Sequence, residues 1–201
     1  MLPKAETAVK LQLASSPPLV IICTMTCDDN KAAARDAIRP LAEMLRGSHG
    51  KAEAAALALQ KLARNRGNKT LIAEAGAIPP LIALLKNGID EAKVICVETL
   101  AKLADKGDNS VLIAKAGEIP PLVALLKNGT AVAKTALLLG ILAVGNEDNR
   151  VAIARASAIP ALVLLLQKGN DIMQVVAANT LQVFSCDDRQ SEESQGAPQD
   201  L

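Results

Sequence analysis

The stretch Ala77-Ile78-Pro79-Pro80-Leu81-Ile82-Ala83-Leu84-Leu85-Lys86-Asn87-Gly88 decides the fold, because it returns twice. The second copy is Glu118-Ile119-Pro120-Pro121-Leu122-Val123-Ala124-Leu125-Leu126-Lys127-Asn128-Gly129. The third runs from Ala158-Ile159-Pro160-Ala161-Leu162 to Leu166-Gln167-Lys168-Gly169. Pro79, Pro120 and Pro160 lie 41 and 40 residues apart, and a weaker copy, Ala37-Ile38-Arg39-Pro40-Leu41 to Arg46-Gly47, lies 39 upstream. A fixed period of about 40 predicts an all-α solenoid, whose units bury their apolar faces only by stacking on neighbours.

Outward from the repeated phrase, each unit reads as three helices. The first is short: Asn68 to Ala75, Asn109 to Ala116, Asn149 to Ala156. Asn at its start suits an N-cap, where the side-chain oxygen accepts from free first-turn amides. Gly76 and Gly117 follow, where a helix end favours left-handed backbone, with Ser157 and Asp36 in the other copies. The second helix opens with Pro, tolerated where the N–H has no intrahelical partner, and runs to a glycine at 47, 88, 129 or 169. The third helix is the longest. Ala92, Cys96, Thr99, Leu100 and Leu103 recur on one face at helical spacing. Met173, Ala177, Thr180, Leu181 and Phe184 repeat the stripe, as do the residues that lead to Leu62 and Leu142.

Residues 1–18 read as a lead-in with a short helix from Lys4 to Ala14, broken by Ser15-Ser16-Pro17-Pro18. Residues 19–27 read as the remnant of a third helix, since Met25-Thr26-Cys27-Asp28-Asp29 is echoed by Phe184-Ser185-Cys186-Asp187-Asp188. The solenoid is thus expected over 19–188, with repeats near 37–76, 77–117, 118–157 and 158–186. Residues 189–201 are expected to be a disordered polar tail.

Half of the 201 residues are apolar, nearly all aliphatic, and Phe184 is the single aromatic. A net charge of +1 and no interleaved aromatics give no reason to expect nucleic acid. The four cysteines, Cys23, Cys27, Cys96 and Cys186, form no CxxC pair, so free thiols and a reducing compartment, cytoplasm or nucleus, are expected. No apolar run approaches the roughly 20 residues of a transmembrane helix. Neither a secretory nor a transit leader is expected.

Asn68-Lys69-x-x-Ile72-Ala73-x-Ala75-Gly76-Ala77-Ile78-Pro79-Pro80-Leu81 resembles the armadillo repeat, closest in flavour to plant, protist and vacuolar-tether armadillo proteins. The likeness covers about residues 19–186. It implies a right-handed superhelix of about four three-helix repeats plus a partial N-terminal one, with third helices lining a concave groove for peptides or partner proteins. In importin-like members one Asn per third helix clamps a peptide backbone. The matching positions here are Thr24, Lys61, Lys102, Ile141 and Val183, and the often aromatic positions four residues earlier hold Leu57, Glu98, Leu137 and Asn179. Without that amide ladder, nuclear-import cargo is not the expected ligand.

The same positions make Leu57, Lys61, Arg64, Glu98, Lys102, Leu137, Ile141, Val144, Asn179 and Val183 the candidate groove. Lys61, Arg64, Arg66 and Lys102 give a basic strip, and Leu137, Ile141 and Val144 an apolar one, suited to an acidic-then-apolar segment. The alternative is that these lysines are a solvated helix face. His49, in a Gly-flanked turn with no second His, gives no metal site, and Ser48-His49 has no relay geometry. No catalytic constellation, cofactor or metal is expected. The expected function is a non-catalytic protein-interaction scaffold. The alternatives are a structural subunit that docks or self-associates through its solenoid ends, where Ile172, Val175 or Val183 face outward, and the substrate-binding array of a ubiquitin-ligase system.

Overall fold

The computed structural model describes residues 31–105, 107–128 and 131–185 of the chain. They form α1 (Lys31–Met44), α2 (His49–Leu62), α3 (Arg66–Glu74), α4 (Ile78–Asn87), α5 (Asp90–Ala104) and α6 (Gly107–Lys115). Then follow α7 (Ile119–Asn128), α8 (Val132–Ala143), α9 (Glu147–Arg155), α10 (Ala158–Lys168) and α11 (Asp171–Ser185). The described residues contain no strand. The lead-in, the 19–27 remnant, the polar tail, Cys23, Cys27 and Cys186 lie outside them.

The third helices stand side by side, α2 on α5, α5 on α8 and α8 on α11, each backed by the second helix of its own repeat. The first helices lie across these pairs, α6 touching α4, α5 and α8 and α9 touching α7, α8 and α10. The predicted stripe supplies the core: Ala92, Cys96, Thr99, Leu100 and Leu103 are all fully buried, as are Leu59, Leu138, Leu139 and Leu142. One isoleucine per first helix, Ile72, Ile113 and Ile153, completes it. Each such aliphatic side chain contributes about 1.5–3 kcal/mol of transfer free energy. No single described helix is long and apolar enough to cross a bilayer.

The breaks between helices follow backbone chemistry. Gly76 and Gly117 have φ of +71° and +79°, and Ser157 takes the same left-handed conformation at +63°. Asp36, the expected equivalent, makes no such break. α1 runs unbroken across it with Pro40 inside the helix, so the first and second helices of this repeat are one. The glycines that end the second helices serve otherwise. Gly88 is extended, at φ −77° and ψ 168°, and a Cβ there would lie 2.5 Å from the Leu84 carbonyl oxygen and 3.1 Å from Ala92 Cβ. Close approach, not handedness, requires glycine.

Two further expectations are corrected. His49 lies not in a turn but at the first position of α2, behind Ser48 at the N-cap. Asn68, Asn109 and Asn149 are not N-caps. The first helices begin two residues earlier, and Asn65 and Asn146 cap α3 and α9, accepting from the N–H groups of Gly67 and Asn149 at 2.9 Å each. Asn68, Asn109 and Asn149 are buried instead, and each donates through Nδ2 to the end of the preceding third helix. The acceptors are the carbonyls of Leu62 at 3.1 Å, Leu103 at 3.1 Å and Leu142 at 2.8 Å. Helix ends leave such carbonyls without intrahelical partners, so a buried amide is needed there.

Candidate binding surface

The stacked third helices present one continuous face, and the positions on it repeat with the stack. Leu57 and Lys61 of α2, Glu98 and Lys102 of α5, Ile141 of α8 and Val183 of α11 are half-buried. Arg64, Leu137, Val144 and Asn179 are exposed. A cleft of about 350 Å³ between α5 and α8 brings Glu98, Lys102, Leu137 and Ile141 together with Lys69, Ala101, Asp105 and Lys134. Leu57, Val144, Asn179 and Val183 line no part of it.

One rim of the cleft is an acid held on both sides. Glu98 accepts from the amide of Gln60 on α2 and from the ammonium of Lys134 on α8. These three residues stand two, five and eight positions before Leu62, Leu103 and Leu142, so the ladder climbs diagonally across three stacked helices. The other rim is an ion pair between repeats: Lys69 Nζ lies 2.6 Å from Asp105 Oδ2. The Lys69 hydrogen bond and charge, helped by Arg66, hold the Asp105 carboxyl below its usual range. Asp105 is largely exposed, so water screens the pair, and its value is in placing Lys69 rather than in stability.

Lys102 is different. Burial is the first cause that lowers its pKa, followed by the like charges of Arg64, Lys61 and Lys69. No carboxylate pairs with it among the described residues. A partly desolvated ammonium among other cations gains most from an incoming anion. Ala101, Leu137 and Ile141 supply apolar surface beside it.

Reading down the third helices found Glu98, Lys102, Leu137 and Ile141. It missed Gln60, Lys69, Asp105 and Lys134. Lys69 belongs to a first helix and Asp105 to a helix end, so neither carries the third-helix spacing. Gln60 and Lys134 do lie on third helices, at other offsets, and only the diagonal register of the stack would point to them.

A family profile described as Armadillo/beta-catenin-like repeat matches residues 65–105 and 146–184. The crystal structure of an engineered protein from the Northeast Structural Genomics Consortium has a TM-score of 0.79 to this chain at 23% identity, covering 92% of this chain and 80% of that one. A designed armadillo repeat protein in complex with the peptide (KR)4 has a TM-score of 0.67 at 21% identity, covering 89% and 86%. Computationally designed armadillo repeat proteins for modular peptide recognition reach 0.68 at 22%, covering 90% of each chain. No curated protein matches the sequence. The described residues therefore form an α-solenoid with the fold of these designed armadillo repeat proteins, and the matches do not point to the plant, protist or vacuolar-tether branch.

Proposed function

We propose that this chain is a protein-binding scaffold whose third-helix face takes an extended segment of a partner, an acidic side chain first and an apolar one after it. Lys102 carries the reading: a half-buried cation, crowded by Lys61, Arg64 and Lys69, with no carboxylate of its own among the described residues. The acidic side chain would pair with Lys102, and the apolar one would lie over Ala101, Leu137 and Ile141. The designed relative in complex with (KR)4 takes a basic peptide. The basic strip of this chain favours the opposite charge. Recognition is thus by charge and shape, with no bond made or broken, which is binding rather than catalysis.

The test is fluorescence anisotropy with a labelled peptide that carries two aspartates followed by two leucines. Lys102→Glu and Leu137→Asp should each weaken binding about tenfold or more, a loss of about 1.4 kcal/mol or more. The wild-type affinity should fall as salt screens the exposed part of the contact. Affinity indifferent to both substitutions and to salt would leave Lys102 a solvated surface residue.

A further inference from the structure

The acids around Lys102 are already spent. Glu98 stands four residues before it on α5 and Asp105 three after it, and each is held by a different cation, Glu98 by Lys134 and Asp105 by Lys69. Among the described residues no carboxylate forms an ion pair with Lys61, Arg64 or Lys102. Three positive charges are thus uncompensated on one part of the third-helix face. The later repeats do not continue them: the same position holds Ile141 in α8 and Val183 in α11. Val183, expected to face outward with Ile172 and Val175, packs half-buried against the core while those two are exposed.

The fold brings the three cations together. Lys61 and Lys102 occupy one position in neighbouring repeats, on α2 and α5, which pack against each other. Packed helix axes lie about 8–10 Å apart, a gap that two lysine side chains can close on one anion. Arg64 is turned back toward them after α2, its N–H donating to the Lys61 carbonyl at 3.2 Å. The charges of Arg64, Lys61 and Lys69 all reach Lys102. A carboxylate offers this group one charge and two oxygens. A phosphate monoester near neutral pH offers nearly two charges and three oxygens, and it takes a guanidinium through two parallel bonds. Glu98 and Asp105 set the opposite limit. A nucleic-acid backbone or an anionic membrane brings many charges and would set some of them against these carboxylates, whereas a single dianion does not. The apolar surface of Ala101, Leu137 and Ile141 in the same cleft calls for a side chain beside the phosphate, which a peptide supplies.

We propose that the acidic residue taken at Lys102 is a phosphorylated serine or threonine of the partner, its phosphate gripped by Lys61, Arg64 and Lys102 and followed by an apolar side chain over Leu137 and Ile141. Binding is then switched on by phosphorylation of the partner rather than by any change in this chain. The inference rests on the groove reading and narrows it to one class of ligand.

Fluorescence anisotropy of the full chain with three labelled peptides tests it, the peptides differing only in a serine, an aspartate or a phosphoserine ahead of two leucines. The phosphoserine peptide should bind about tenfold more tightly than the aspartate one, and the serine peptide most weakly. That advantage should shrink as pH falls through about 6, where the phosphate takes its second proton and aspartate does not titrate. Lys61→Ala and Arg64→Ala should each bring the phosphoserine and aspartate affinities to within about threefold of one another. Arg64 is exposed, so its variant keeps the reading intact should Lys61→Ala lower the melting temperature. Equal binding of aspartate and phosphoserine, both lost in Lys102→Glu, overturns the phosphate and leaves the groove reading standing. Binding of no peptide overturns both. Displacement of the phosphopeptide by inorganic phosphate at the same concentration makes this a free-anion site, and capture by phosphoinositide vesicles without peptide binding makes it a lipid site; either result overturns the proposal.

Discussion

Glu118 is the residue most at odds with its surroundings. It is fully buried, and among the described residues neither carboxyl oxygen has a hydrogen-bond partner. Its equivalents Ala77 and Ala158 are buried alanines that ask for none. A side chain just before a helix ordinarily accepts from the N–H groups two and three residues on, and here those residues are Pro120 and Pro121, which have none. Burial pushes the Glu118 carboxyl up to about 8. The folded pKa lies above the unfolded value of 4.5, so the folded state holds the proton more tightly. The stability this gives is full below about pH 4.5 and is lost as pH rises to about 8, a change on the order of a few kcal/mol. Glu118→Gln keeps the volume and removes the titration. Thermal melts from pH 5 to 9 should show the two proteins close at pH 5 and the variant clearly more stable at pH 9; parallel curves would mean that Glu118 ionises without cost.

At the scale of elements, the sequence carries the helices more clearly than their joints. The proline period and the Leu100–Leu103 stripe place the second helices α4, α7 and α10 and the third helices α2, α5, α8 and α11, because apolar periodicity records which face is buried. The asparagines are ambiguous by the same logic. An Asn near a helix start fits a cap or a buried amide, and only the tertiary return to the preceding helix end decides between them. Asn109 shows the result, donating to the carbonyl of Leu103 at 3.1 Å and to that of Lys69, one repeat earlier, at 3.4 Å. Its amide therefore ties a third helix and two first helices together. Asn109→Ala leaves those buried carbonyls without the donor, and chemical denaturation should show a loss of about 1–3 kcal/mol. A loss of a few tenths would mean that water replaces the amide. Asp36 was unreadable for a related reason. The repeat register puts it where Gly76 breaks the chain, but a residue that gains nothing from left-handed backbone simply continues the helix.

Across the whole molecule, stacking converts a period in sequence into a surface. Glu98, Lys102, Leu137 and Ile141 share offsets from their core leucines, so half of the cleft was legible before any fold was known. Lys69, Asp105 and Lys134 reach it from a first helix, a helix end and a different turn, and their convergence exists only once repeats pack. The central claim is that this convergence makes an anion-then-apolar binding site. Methyl and amide chemical-shift mapping with the aspartate-then-leucine peptide tests it most directly. The account predicts shifts that cluster at Lys102, Leu137 and Ile141, spread to Lys61 and Ala101, and vanish in Lys102→Glu. Saturable shifts confined to α10 and α11, or spread evenly over exposed lysines, would contradict it.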